Sequence, residues 1–351
     1  MTTKFPFRSS IILSVAGLSA IFLPIVFLRV GIIDAFTARI ITMGGVNAIM
    51  AMSVNMIVGV TGLLSLGQAG FLAIGAFSCI FFHADLGLPL PLAAVLAVLV
   101  TAFAGFIIGF PVLKLSGDYL AVVTLGFGEI IRVVFINMRE LTGGPNGRQF
   151  ITPVILNGEL ALVLVTSVLV VTLIITQNFI RSSYGRAIMA CRENEIAANS
   201  CGINIFRYKM TGFVFAAGIA GAGGALFAMV VGLVQPNVAQ FIRSVDFLVF
   251  VVLGGMGSFT GTILAAYILT YLLEFLRFLQ DFRFLVYPVI LILVMIFRPQ
   301  GLLGTKEFSF VKTWDALVRL FVKLFVKNDK NPQGTFRQGP GEPGAPSGAA
   351  L

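Results

Sequence analysis

Apolar runs long enough to cross a bilayer recur along this chain, and they constrain its fold more than any other feature. About 20 apolar residues in a helix span the hydrocarbon core. On that ruler the sequence reads as ten crossings, roughly 10–29, 40–59, 66–83, 90–112, 118–137, 154–178, 210–234, 244–254, 260–277 and 284–298. The eighth is short. Only 11% of the 351 residues are charged, against about a quarter in soluble domains. The fold class is therefore an all-α integral membrane protein, with lipid as the solvent for most of the chain. The 38 glycines point to closely packed and interrupted helices.

Charge sets the orientation. With the N-terminus inside, the ten crossings return the C-terminus to the same side. Sixteen Lys and Arg then fall in inside segments and seven in outside ones, with Arg132 within a span. That is the positive-inside bias, and it places both termini in the cytoplasm. It also accounts for the net charge of +9 without nucleic-acid binding. Three cysteines, Cys79, Cys191 and Cys201, lack metal-ligand spacing, and His83 is the sole imidazole. No cofactor or metal site is expected. The chain has no phosphate-binding G-x-x-x-x-G-K-[ST], no H-E-x-x-H and no G-x-S-x-G, so nothing looks like an enzyme site.

Two glycine-rich interruptions break the apolar pattern, Gly59–Gly70 and Gly254–Gly261. Unwound backbone at membrane depth is tolerated only where protein buries it or a cavity solvates it. Paired breaks in two halves of a chain are a sequence pointer to a transport path. The amides near Ser65–Gln68 and Ser258–Gly261 could face an anionic group. Candidate path residues are Asn55, Thr61, Ser65, Gly67, Gln68, Gly254, Gly255, Gly257 and Ser258. The alternative is a pair of tight hairpins made of small residues. Glu129 and Arg132 share a face of the fifth span. Each would be costly alone in hydrocarbon, so they should pair or face a wet path.

Between two crossings lies a polar island, Arg181–Lys209. Ala187, Ala190, Ala197 and Ala198 are small, Gly185 and Gly202 bracket them, and Arg186, Arg192, Glu193 and Glu195 lie between. This suits a short helix over 187–202 that seats in a groove of another protein. A plain solvated loop is the alternative. On the outside, Gly143, Gly144, Pro145 and Asn146 make a tight loop that either contacts a partner or simply turns. After Pro299, Trp314, Leu317, Phe321, Leu324 and Phe325 recur at helical spacing opposite Lys312, Arg319, Lys323 and Lys327. That reads as a basic amphipathic helix over 305–330 on membrane lipid. Gly, Pro, Gln and Ser dominate 331–351, and no structure is assigned there. The transmembrane domain covers 1–304.

Six motifs in order resemble a known family. They are NMIVGVTGLLSLGQAGFLAIGA (55–76), LSGDYLAVVTLGFGEIIR (115–132), LTGGPNG (141–147), SSYGRAIMACRENEIAANSCGI (182–203), LGGMGSFTGTILAA (253–266) and RPQGLLG (298–304). Together they are similar to the LivM-type permease subunits of branched-chain amino-acid ABC importers. The resemblance implies a bacterial inner-membrane subunit that works with a second related permease, two ATPase subunits and a periplasmic binding protein. Leu, Ile or Val would be the cargo, and the island would become the segment on which the ATPase presses. Ala197, Ala198 and Gly202 fit the E-A-A-x-x-x-G signature of such segments, while Ile196 stands where its Glu would be, one place after Glu195. The Gly143–Asn146 loop would meet the binding protein. Urea and short-amide importers have closely similar permeases. A secondary transporter would instead need an ion-coupling carboxylate, with Glu129 and Glu274 in view.

Overall fold

A computed structural model describes residues 34–115, 117–297 and 301–302. The expected crossing at 10–29, the amphipathic helix at 305–330 and the tail lie outside the described residues. Thirteen α-helices make up almost everything else. They are α1 (Ala35–Asn55), α2 (Gln68–Ile80), α3 (Leu90–Val112), α4 (Asp118–Asn137), α5 (Arg139–Thr142), α6 (Pro153–Leu156), α7 (Gly158–Arg181), α8 (Ser183–Glu193), α9 (Glu195–Ser200), α10 (Ile205–Val231), α11 (Phe241–Gly254), α12 (Phe259–Phe275) and α13 (Arg283–Phe297). α1 and α2 each run on into a widened π-helical turn, Met56–Thr61 and Phe81–Asp85. β1 (Arg148–Gln149) and β2 (Leu233–Val234) pair antiparallel, with Arg148 opposite Val234.

Among the described residues, seven helices are long and apolar enough to cross a membrane, fewer than the sequence reading expected there. α11 has 14 residues and α13 has 15. At 1.5 Å per residue each reaches only about 21–23 Å, short of the ~30 Å hydrocarbon core. Hydropathy counted these two as crossings because it registers apolar content, which both have, more readily than length.

The bundle is built around α1 and α10, whose most apolar windows are 78% buried, against 22% for α4. Sequence explains the centre. α10 carries Ala216, Ala217, Gly218, Ala220, Gly221, Gly223, Gly224 and Ala225 on successive turns. A Cβ on Gly75 of α2 would sit 2.5 Å from the Gly221 carbonyl oxygen, and one on Gly224 would sit 2.2 Å from that of Leu72. On α3, a Cβ at Gly105 would meet the Ala217 methyl at 2.4 Å. Such backbone-to-backbone approach is what drives helix association where lipid is as apolar as the side chains. The bulky side chains of α3 and α4, such as Phe103 and Val122, point away from this centre and are exposed.

Candidate functional site

The island folds as two helices rather than the single helix expected over 187–202. Each of its helices opens on a side-chain cap. Ser182 Oγ accepts from the Gly185 amide at 3.3 Å, Asn194 Oδ1 from Ala197 at 3.0 Å, and Asn204 Oδ1 from Arg207 at 3.1 Å. Ser and Asn are strong N-caps because their oxygens satisfy amides that a helix start leaves open. Asn194 therefore ends α8 and starts α9. At the far end, Gly202 (φ +79°) closes α9, with the Gly202 amide on the Asn199 carbonyl and the Ile203 amide on that of Ala198. This is a Schellman turn, and its left-handed residue favours glycine. It gives the glycine of the E-A-A-like segment a conformational reason.

The island residues divide by direction. Ile188, Cys191 and Ala198 are buried against the bundle. Ile196 is 81% exposed, and Glu193 and Ala197 are exposed beside it. Arg186 bonds back to the Arg181 carbonyl (2.6 Å) and to Ser183 Oγ (3.3 Å). Glu195 pairs with Lys209 Nζ at 2.6 Å. The Arg192 guanidinium donates to the Gly59 carbonyl, at the first glycine break.

The two breaks, far apart in sequence, meet. A Cβ on Gly59 would lie 2.5 Å from the Gly257 amide nitrogen. Asn55, wholly buried, ties them together: its Oδ1 accepts from the Gly257 amide at 2.8 Å and its Nδ2 donates to Thr262 Oγ1 at 3.0 Å. From Gly62 to Gly67 the chain is non-helical and runs back to the level of Ser53 on α1. Its amides are served by hydroxyls of neighbouring helices. Leu66 N–H donates to Thr124 Oγ1 of α4 and Ala69 N–H to Ser244 Oγ of α11, both at 3.0 Å. The second break caps itself, with Ser258 Oγ accepting from Gly261 at 3.2 Å and the Ser258 carbonyl from Thr262 at 3.1 Å. The Ser258, Gly261 and Thr262 amides are thus engaged at this break, as are those of Leu66, Ala69 and Gly70 at the first. Among the buried side-chain atoms described there, Ser65 Oγ and Gln68 Nε2 have no partner.

α11 begins beside the middle of α4. The Phe241 amide donates to Glu129 Oε1 at 3.3 Å, and Glu129 Oε2 accepts from Arg132 Nε at 2.6 Å. The pair is partly exposed on α4, so a carboxylate faces the positive end of a half-length helix.

A family model described as the permease component of the branched-chain amino-acid transport system matches residues 36–297. The chain belongs to that permease family. The protein named high-affinity branched-chain amino acid transport system permease protein LivM is 41% identical in Salmonella typhimurium LT2, over 75% of this chain and 69% of the relative. Its Escherichia coli K12 namesake is 40% identical over 76% and 70%. The E. coli K12 permease protein LivH is 26% identical over 76% of this chain and 94% of its own length. No solved structure matches the chain.

Thr61, Ser258, Gly67, Gly254 and Gly255 are buried at the breaks, and Gly257 is half-buried. Thr61 Oγ1 bonds its own helix at the Ile57 carbonyl (2.5 Å). At the opposite end, Gly143, Pro145 and Asn146 are exposed, whereas Gly144 is buried and closed under Thr142 Oγ1 at 3.2 Å. Gly144 therefore shapes the loop rather than presenting it. Arg148 anchors the same loop through a fork on Asp85, at 2.8 and 2.5 Å, and a bond to the Leu141 carbonyl at 3.1 Å. Sequence reasoning missed Ser53, Thr124, Ser244 and Thr262, because single hydroxyls on apolar helices carry no spacing signal. It also missed Asp246, a half-buried carboxylate on α11; a lone acid in a 14-residue run whose other polar residues are Arg243 and Ser244 was the available clue.

Proposed function

We propose that this chain is one permease subunit of a bacterial inner-membrane importer for Leu, Ile and Val, with both termini in the cytoplasm. The observation that carries this reading is the seating of α8, the first of the polar helix pair, against the place where the two glycine breaks meet. An energy-supplying partner pressing on Glu193, Ile196 and Ala197 would thereby act on the core. Two ATPase subunits are the expected partners, one on each permease. The half-exposed Glu129–Arg132 pair supports a second, related permease across α4. A charge near the centre of a span costs about 3 kcal/mol on insertion scales, so this face fits a watered path between two permeases better than it fits lipid. Gly143, Pro145 and Asn146 form the exposed edge on which a periplasmic binding protein would dock.

A path with few fixed charges suits a small zwitterion. Ser65 Oγ and Gln68 Nε2 supply unengaged polar atoms beside the break, and selection can rest with the binding protein upstream. The test is ATP-driven uptake of radiolabelled Leu, Ile, Val and urea by vesicles holding the full assembly. Uptake of the three amino acids is expected. Urea uptake without Leu uptake would move the assignment to a urea importer, and uptake driven by an ion gradient without ATP would sink the ABC reading.

A further inference from the structure

We infer that Arg192 is the positioning residue that links the ATPase-facing helix pair to the two glycine breaks, and that displacement of α8 reaches α1 and the α11–α12 turn through it. The inference rests on the importer reading above and goes further by assigning the link to one side chain.

Three observations converge on it. Arg192 is the last basic residue of α8, and its guanidinium crosses to the carbonyl of Gly59, in the π-helical turn that ends α1. The side-chain stem lies where only glycine leaves room: a Cβ on Gly62 would be 2.8 Å from Arg192 Cγ and 3.5 Å from Arg192 Cβ. A Cβ on Gly257 would be 3.8 Å from Arg192 Nη1, and the Gly257 amide is itself held by Asn55. One guanidinium thus sits at the meeting point of α8, the end of α1 and the α11–α12 turn. A charged donor on a carbonyl makes a stronger bond than a neutral pair, and its planar fork resists rotation. By contrast, Arg186 and Glu195 form their bonds within the island and the start of α10.

The test uses the assembled importer in vesicles, with ATP hydrolysis and amino-acid uptake measured on the same preparation. Arg192→Ala is expected to raise the ATP hydrolysed per cargo imported about tenfold, the scale of one charge-assisted hydrogen bond. The KM for cargo should stay within about twofold. Parallel loss of both activities, or an unchanged ratio, overturns the inference. A second variant covers the case in which Arg192→Ala fails to assemble. With Cys191 and Cys201 replaced by alanine, Arg192→Cys combined with Gly62→Cys places two thiols at a Cβ separation a disulfide accepts. A covalent link should replace the lost one, so the oxidised importer is expected to be coupled and the reduced one uncoupled. Equal coupling in both states refutes the link. If the unaltered importer moves no branched-chain amino acid, it is the functional reading that fails.

Discussion

Replacing Asn55 with alanine tests whether the junction of the two breaks is held by the side chain that bridges them. The change removes the acceptor of the Gly257 amide and the donor to Thr262 Oγ1. The two losses are unequal. The Gly257 N–H sits on a half-buried turn, and leaving that donor without an acceptor costs about 1–3 kcal/mol. Thr262 keeps its own bond to the Ser258 carbonyl at 2.8 Å and forfeits only an accepted bond, ~0.6 kcal/mol on average inside membrane proteins. The sum is about 1.6–3.6 kcal/mol. At about 2.1 cal/mol/K of unfolding entropy per residue, 351 residues give roughly 1.4 °C per kcal/mol, and the thermal midpoint should fall by about 2–5 °C. With exposed Cys201 replaced by alanine, the remaining free thiols, Cys79 and Cys191, are buried, so a thiol-reactive dye reports unfolding of the detergent-solubilised protein. Gly59→Ala should lose a similar amount, because its Cβ would lie 2.1 Å from Asn55 Oδ1 and displace it. Combining Asn55→Ala with Thr262→Ala should cost less than the sum of the two by roughly 0.6–1 kcal/mol, since they share a bond. Midpoints within about 1 °C of the unaltered protein for both Asn55→Ala and Gly59→Ala would refute the bridge.

Other expectations follow from the same geometry. Glu129→Ala and Arg132→Ala should each reduce folded protein in membranes more than the double change does, because either alone strands a charge; additive losses in the cycle would dissolve the pair. Gly202→Ala should weaken the end of α9 by roughly 1 kcal/mol, the cost of a side chain in left-handed backbone, read as faster amide exchange at Gly202 and Ile203. Maleimide should label exposed Cys201 well before Cys191, whose thiol is pushed up by burial. Raising the pH should increase Cys191 labelling as thiolate forms, and equal rates at neutral pH would contradict its burial.

Much of this arrangement was legible in one dimension. The expected crossing at 90–112 coincides with α3, and the island and both breaks lie where composition shifts. These features are local, since hydropathy, caps and glycine clusters act within a few residues. Contacts are not. Nothing near Asn55 announces a partner 202 residues away, and no pattern in the island distinguishes Arg192, whose guanidinium crosses to the Gly59 carbonyl, from Arg186, which bonds back to Arg181 and Ser183. Asn194 reads as an interior residue of a polar helix until its role as an N-cap is seen. The depth of α11 was hidden for a related reason: its apolar content matches a crossing, and only the bond from Phe241 to Glu129 shows where it starts.

That short helix bears on how the protein is made. A segment of about 21 Å whose first amides stop at the middle of a neighbour cannot enter lipid as an independent unit, because its open end would meet hydrocarbon with no acceptor. Its acceptor is Glu129, and its Ser244 serves the amide of Ala69. Both partners precede α11 in the chain. Synthesis in order therefore delivers α2 and α4 to the membrane before α11 emerges, and α11 inserts into protein already in place. Moving its coding segment ahead of α4 would keep every residue and remove the receptor it folds into.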